Sequence, residues 1–265
     1  MRRALWIAIL ALAATLVRTD ARAEDVDLEL VLAVDVSTSI DDGEFALQRK
    51  GYAQAFLSPE VIAAIRSGVH GRIAVAYIEW AAADTQKLVV PWTVLSDAES
   101  GTLFAEELLA APRSFRGWTS ISGAIDFAMQ VFTESPHAGA RRVIDVSGDG
   151  INNSGRPAEN ARDDALAKGV TINGIVIMND VPSPMSYWRT EPPLDDFYRD
   201  RVIGGPGAFV MIVEDFTTFE HAIRNKLLRE IAGDPRADAL AEMKAAPPDI
   251  PPLNLQRPVP GAPRY

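Results

Sequence analysis

Residues 31–42 constrain the fold of this chain more than any other stretch, because an apolar, mostly β-branched run ends there in a carboxylate and alternating hydroxyls. A run of this kind is typical of a strand buried on both faces of a parallel sheet. In open α/β sheets, ligands bind at the carboxyl ends of the strands, close to the point where the strand order reverses. We therefore expect Asp35, Ser37 and Ser39 to direct their oxygens to one place at such an edge.

Three oxygen donors in this arrangement suit Mg²⁺ or Mn²⁺, since these cations prefer oxygen ligands and keep several waters. The same residue types are common in ordinary loops, where Asp and Ser side chains form Asx-turns and helix caps. The Asp-x-Ser-x-Ser pattern thus leaves both a cation site and a plain turn open, and residues further along the chain must decide between them.

The composition of the 265-residue chain excludes several classes of site. Its apolar content of 48% is enough for a substantial core. The chain has no cysteine, which rules out disulfides, zinc–thiolate sites, iron–sulfur clusters and thiol nucleophiles. Its formal net charge of −10 repels phosphate backbones and anionic lipids, so we expect no nucleic-acid partner.

The amino terminus has the features of a bacterial signal peptide. Two arginines follow Met1, residues 4–17 form an apolar run that is short for a membrane span, and small residues occupy positions 21 and 23. We expect residues 1–23 to be removed after Ala23, with an uncleaved anchor as the alternative. The mature chain is then exported, periplasmic or secreted, and has no stable membrane anchor.

Apolar periodicity predicts strands that alternate with helices over a domain of residues 24–232. Two β-rich runs, at residues 72–80 and 87–95, flank a short turn and indicate an antiparallel hairpin. The predicted fold class is α/β: a doubly wound, mostly parallel central sheet with one antiparallel edge strand and helices on both faces. Residues 26–36 are predicted as one strand, and residues 96–99 have the spacing of a capping box.

Two segments differ in composition from the rest of the chain. Residues 180–193 form a long insertion rich in proline and aromatic residues, which either faces a partner or packs on the domain's own flank. Residues 233–265 comprise a helix fragment and a tail with seven prolines in residues 247–265, a composition typical of a disordered segment.

Two further polar residues occupy positions where the fold would bring ligands to the same edge. Thr119 lies in a loop that enters a helix, and Asp149 follows an apolar strand predicted to run parallel to the first. We expect both to meet Asp35 and the two serines. Two carboxylates and three hydroxyls would then converge.

This order of residues resembles the metal-ion-dependent adhesion site of von Willebrand factor A domains, and the resemblance covers about residues 26–232. Residues 47–52 and 143–150 make the chain most similar to an uncharacterised bacterial exported family of that fold. The resemblance implies an exported, divalent-cation-dependent module for protein binding. An acidic residue of a partner protein would complete the coordination of the metal.

The resemblance also implies a role for each residue of the site. Ser37 and Ser39 would bind the metal directly, and Thr119 directly or through water. Asp35 and Asp149 would bind largely through water, with one coordination position left open.

One position departs from the pattern of that family. The third loop usually contains Thr/Ser-Asp-Gly, whereas this chain has Gly148 before Asp149 and carries the hydroxyl one residue earlier, on Ser147. Asp145 lies inside the same apolar strand, and we expect it to be hydrogen-bonded structurally rather than to bind metal.

Two other functions stay open from the sequence. A hard cation with an open position can polarise a phosphoryl oxygen, so one alternative is a metal-assisted phosphoester hydrolase. Against it, only Arg116 near Thr119 offers a charge clamp, and the three histidines are scattered. No catalytic residue is therefore predicted. The other alternative is a scaffold with a non-functional metal site.

Overall fold

The computed structural model describes residues 23–178, 192–214 and 218–233. Most of the predicted signal peptide, of the insertion at 180–193 and of the segment 233–265 lies outside these described residues, and their assignments stay predictions. Within the described ranges, no helix combines the length and the apolar character that a membrane span requires.

The described residues form eight strands: β1 (Glu24–Val26), β2 (Glu29–Asp35), β3 (Ile73–Trp80), β4 (Gln86–Leu95), β5 (His137–Gly139), β6 (Arg142–Gly148), β7 (Thr171–Ile177) and β8 (Val210–Val213). Six of them make up the central sheet, in the order β4-β3-β2-β6-β7-β8. The β3–β4 pair is antiparallel and the other pairs are parallel. This topology confirms the predicted fold class.

The helices of the described residues are α1 (Asp42–Leu57), α2 (Pro59–Arg66), α3 (Ala98–Ala110), α4 (Ile121–Thr133), α5 (Ala158–Leu166), α6 (Leu194–Phe197) and α7 (Phe219–Ala232), and α6 continues as a π-helical turn over Tyr198–Val202. One core lies between the sheet and helices α1, α2, α3 and α7, and a second core lies between the sheet and α4, α5 and α6. Alternate residues of β2 enter the two cores, as a strand buried on both faces requires.

Strand β2 lies where the strand order reverses, since it hydrogen-bonds β3 on one side and β6 on the other. Its last residue, Asp35, pairs with Trp80 at the end of β3. Val34 pairs with Ser147 near the end of β6. The segments that follow β2 and β6 therefore leave the sheet at the same carboxyl edge, where open α/β sheets bind their ligands.

The prediction of one strand over residues 26–36 was wrong. The chain turns at Asp27, whose carboxylate accepts hydrogen bonds from the N–H groups of His70 (2.9 and 3.1 Å) and Arg72 (3.4 Å). The chain bends at this point, so residues 24–26 are not continuous with β2. The residues before the turn form β1, which pairs in parallel with β5 as a separate two-stranded sheet.

The predicted capping box at residues 96–99 was also wrong, by one residue. Asp97 is the N-cap of α3, and its carboxylate accepts a hydrogen bond from the Ser100 N–H at 2.9 Å. The Ser100 hydroxyl accepts in return from the Asp97 N–H at 3.1 Å. A carboxylate is the better cap here because it also interacts favourably with the positive end of the helix dipole.

Both ends of the described domain lie at the amino edge of the sheet. Strand β1 comes directly before β2, at the edge opposite Asp35. The last turn of α7 is held at the same amino edge by Arg141, which precedes β6 and donates to the carbonyls of Glu230 (2.8 Å) and Ile231 (2.9 Å). The carboxyl edge is thus remote from the first and the last element of the described domain.

Helix α7 brings a buried charge cluster against β6. Lys226 Nζ lies 2.6 Å from Asp145 Oδ1 and also pairs with Glu230, and the three side chains are at most 1% exposed. Burial, partly offset by Lys226, raises the pKa of Asp145 to about 7. Buried charges of this kind are tolerated because they are paired. Asp145 therefore has a structural ion pair in the core, as its place inside the strand indicated.

Candidate metal centre

Three loops meet at the carboxyl edge and form one hydrogen-bonded unit. The first loop (residues 36–41) follows β2, the second loop (residues 111–120) leads into α4, and the third loop (residues 149–157) follows β6. The N–H and the hydroxyl of Thr38 both donate to the Gly117 carbonyl, at 2.9 and 3.0 Å, which joins the first loop to the second.

The second loop is joined to the third by Asn153. The Asn153 side-chain oxygen accepts a hydrogen bond from the Thr119 N–H at 2.9 Å, and the Asn153 N–H donates to the Thr119 carbonyl at 2.9 Å. The side-chain oxygen of the preceding residue, Asn152, accepts a hydrogen bond from the Ser122 N–H at 3.0 Å. The two asparagines therefore fix the backbone around Thr119.

Four of the five predicted site residues are connected by direct contacts. The Ser37 N–H donates to Asp35 Oδ1 at 2.7 Å, and Ser37 Oγ lies 3.0 Å from Ser39 Oγ. The Ser39 hydroxyl donates to Asp149 Oδ1 at 2.7 Å. Asp35 and Ser37 are buried, whereas Ser39 is exposed and Asp149 is half-buried. The row of oxygens thus runs from the end of β2 to the surface.

The separation of the two serine hydroxyls fits an octahedral cation. Mg²⁺–oxygen distances are about 2.0–2.1 Å, so two neighbouring ligands of one ion lie about 2.9 Å apart. The 3.0 Å between Ser37 Oγ and Ser39 Oγ corresponds to one edge of such an octahedron. The spacing of the two hydroxyls is therefore compatible with their both binding a single ion.

Thr119 lies against the third loop, next to Asp149. Its side chain is buried, with 6% of the residue exposed, and its Oγ1 is 3.7 Å from the position that a β-carbon would occupy at Gly150. The structure thus brings all five predicted residues into the same cluster of loops, Thr119 through its backbone bonds and its contact with Gly150.

The electrostatics of Asp35 also fit a cation. The carboxylate is fully buried, and within the described residues its Oδ2 has no hydrogen-bond partner. Burial, followed by the negative charge of Asp149, raises the pKa of Asp35 to about 8, while hydrogen bonds from Ser37 and the charge of Arg113 act in the opposite direction. Two carboxylates this close are stable in their charged forms when a cation binds between them.

Tyr198 explains the departure at Gly148. A β-carbon on Gly148 would lie 2.7 Å from the Tyr198 hydroxyl oxygen and 3.1 Å from Asp35 Oδ2. The tyrosine hydroxyl therefore fills the space where a serine or threonine at this position would place its side chain. The fully buried ring comes from the π-helical turn, a part of the chain that the sequence did not connect with the site.

Arg113 stabilises the first loop through hydrogen bonds to its backbone. Its Nη2 donates to three backbone carbonyls of that segment, those of Val36 (2.9 Å), Ser37 (3.1 Å) and Ile40 (2.9 Å). The guanidinium has five N–H donors in a fixed plane, which suits several acceptors at once. Arg113 was missed by sequence reasoning, because an arginine 77 residues from its acceptor has no local motif. Asn153 was likewise missed, because its bond to Thr119 joins residues that are 34 positions apart in the chain.

The donor set indicates the class of metal. In the described parts of the chain, no group of three or more His, Cys, Asp or Glu residues is placed to hold a metal ion. The centre offers two carboxylates and several hydroxyls instead. Such hard oxygen donors suit Mg²⁺ and Mn²⁺ better than soft metals.

Comparison with solved structures defines the class of protein as the von Willebrand factor A fold. The von Willebrand factor type A protein from Catenulispora acidiphila matches with a TM-score of 0.53 and 16% identity, over 78% of this chain and 43% of that one. Proximal thread matrix protein 1 from the mussel byssus matches with a TM-score of 0.54 and 13% identity, over 77% and 47% of the two chains.

Two further neighbours carry descriptions of metal or adhesion. A structure of the mussel protein with a zinc-occupied MIDAS motif, the metal-ion-dependent adhesion site, matches with a TM-score of 0.50 and 16% identity, over 78% and 47% of the chains. The pilus adhesin SpaC from Lactobacillus rhamnosus GG matches with a TM-score of 0.55 and 12% identity, over 78% and 31%. The chain spans less than half the length of each of these proteins, and the likeness concerns the fold.

Residues 25–235 match the family described as "Protein of unknown function (DUF1194)", and the chain belongs to this family. No curated protein matches the sequence. The fold confirms the predicted resemblance to von Willebrand factor A domains, and the family match confirms the resemblance to an uncharacterised family.

Proposed function

We propose that this protein is a divalent-cation-dependent interaction module that binds an acidic group of another protein through Mg²⁺ or Mn²⁺. In this proposal the cation is held by the five residues of the candidate centre: Asp35, Ser37, Ser39, Thr119 and Asp149. The observation that carries it is the row of contacts from Ser37 through Ser39 to Asp149. Beside this row lies the buried Oδ2 of Asp35, which has no hydrogen-bond partner among the described residues.

The kind of donor supports a carboxylate as the external ligand. Serine and threonine hydroxyls are neutral, so a site in which they provide the direct ligands leaves much of the charge of a divalent cation uncompensated. Ser39, the exposed member of the row, places this charge close to solvent. An acidic side chain of a partner is the natural group to complete the coordination.

The neighbours by fold support the same proposal. A zinc-occupied MIDAS motif belongs to the mussel protein, and adhesion belongs to the pilus protein. The signal peptide predicted for residues 1–23 adds that the module acts after export, as a periplasmic or secreted protein.

Thermal unfolding of the purified chain in Mg²⁺, in Mn²⁺ and in EDTA tests the metal. A cation at 100 times its Kd stabilises the folded state by about 2.7 kcal/mol, which raises the Tm of a domain of this size by about 5–11 °C. We expect Ser39→Ala and Asp149→Asn to lose most of this rise.

Thr38→Val is the matched control, because Thr38 lies between the two serines but bonds the Gly117 carbonyl instead. It should lower the Tm in EDTA slightly and keep the rise caused by the cation. Absence of any cation effect on the unchanged protein, or an equal rise in Ser39→Ala, would overturn the proposal.

A further inference from the structure

Trp118 places a large apolar side chain on the surface next to the candidate metal centre. The residue is 70% exposed and directly precedes Thr119. Of the large apolar side chains exposed in the described residues, it is the only aromatic one. Scattered exposed aliphatic residues need no special explanation, but an exposed tryptophan beside a ligand site is a candidate contact for a partner.

The backbone on both sides of Trp118 is held by hydrogen bonds between the loops. The Gly117 carbonyl accepts from the N–H and hydroxyl of Thr38, and the Thr119 N–H and carbonyl both bond to Asn153. The ring is therefore presented from a fixed backbone. Binding of a partner to the ring therefore costs little conformational entropy of this loop, which favours affinity.

The charges around the centre limit what the partner can carry. Asp41 and Glu44 form the capping box of α1 directly behind the first loop, and Asp42 between them is 81% exposed. Arg116 and Arg113, on the second loop, both pair with Asp42, so two positive charges offset only part of the charge of the three carboxylates. One carboxylate of a partner can bind the cation, but a second one beside it would face these acidic groups.

We propose that Trp118 is the apolar anchor of the partner-binding surface, and that the partner segment presents a single Asp or Glu next to a large aliphatic or aromatic residue. This inference rests on the proposed function, since the cation positions the partner's carboxylate. Tryptophan is among the residues that contribute most to binding when a partner covers them. The first and second loops are joined at Thr38 and Gly117, so a residue beside a carboxylate bound at the centre is close to the loop that carries Trp118.

The test uses short immobilised peptides in which a central Asp is flanked by Leu, Ser or Glu, with retention of the purified full chain measured in Mn²⁺ and in EDTA. We expect retention that depends on Mn²⁺ and is at least tenfold stronger on the Leu-Asp peptide than on the Ser-Asp or Glu-Asp peptides. Trp118→Ala should reduce this preference to less than twofold, and Trp118→Phe should keep part of it.

Two controls separate the role of the ring from other effects. Trp118→Ala should keep the full rise of Tm in Mn²⁺, because the indole provides no ligand. Val69→Ala removes an apolar side chain that is 94% exposed between α2 and β3, away from the carboxyl edge, and should bind like the unchanged protein.

The outcomes distinguish this inference from the proposed function. Retention that depends on Mn²⁺ and on Ser39, but is equal on Leu-Asp and Ser-Asp peptides or unchanged in Trp118→Ala, overturns the role of Trp118 alone. If no acidic peptide is retained in Mn²⁺, or if Ser39→Ala retains them equally, both proposals fail.

Discussion

Replacement of Arg113 by methionine should weaken both the fold and the metal centre. The guanidinium donates three short hydrogen bonds to the carbonyls of Val36, Ser37 and Ile40. Hydrogen bonds from a charged donor contribute about 1.5–3 kcal/mol each. The side chain is 12% exposed, so water replaces part of the loss. Because one NH₂ group has two hydrogens, the three contacts correspond to about two full hydrogen bonds, and we expect Arg113→Met to lower the free energy of unfolding by about 3–5 kcal/mol.

The same substitution should raise the Kd for Mn²⁺ by about 10–100-fold, as is usual for residues that orient metal ligands without touching the metal. Urea unfolding in EDTA measures the first effect and isothermal titration calorimetry the second. Arg116→Met is the matched control: this arginine lies on the same loop, but its main partner, Asp42, is 81% exposed, so the loss should stay below about 1 kcal/mol. Equal losses in the two variants, or an unchanged Kd in Arg113→Met, would refute this account of the loop.

Two further predictions concern Gly148 and Asp145, both in strand β6. Gly148→Ser introduces the hydroxyl of the Thr/Ser-Asp-Gly pattern but places a β-carbon 2.7 Å from the Tyr198 oxygen. It should therefore destabilise the fold by about 1–3 kcal/mol. Tyr198→Phe in the same chain should recover most of this loss in urea unfolding; no recovery would contradict the steric explanation. Asp145 has a pKa raised from 3.8 to about 7, so the folded state binds its proton more tightly than the unfolded state does. The stability that this provides is present below pH 4 and is lost as the pH rises to 7, by at most about 4 kcal/mol. Asp145→Asn should flatten the pH dependence of unfolding in this range, measured in saturating Mg²⁺, and an unchanged slope would show that Asp145 is not the group responsible.

The architecture could be predicted from the sequence because its main signals are local. The apolar run before Asp35 belongs to a strand that is buried on both faces, and the β3–β4 hairpin follows from two short runs joined by a turn. The first strand was predicted too long because Asp27 ends it through bonds to His70 and Arg72, which are more than forty residues away in the chain. A break that depends on such distant donors leaves no local pattern.

The candidate ligands could also be named in advance, since each follows a strand or enters a helix at the same edge. The residues that hold these ligands in place could not be predicted. Arg113, Tyr198 and Asn153 act through contacts with other loops, and their own neighbours in the sequence indicate nothing of these contacts. A motif therefore identifies the groups that face the ligand, while the residues that hold those groups in place become visible only in three dimensions.

The placement of both ends of the described domain at the amino edge determines how this domain can be attached to something else. Because β1 begins and α7 ends on the side opposite Asp35, a surface or fused protein joined directly to residue 24 or residue 233 leaves the loops that carry Ser39 and Trp118 at the far edge of the domain. The domain can thus be attached at its amino edge and make its contacts at its carboxyl edge. Coupling for biosensor measurements should therefore use the ends of the domain and avoid the loops.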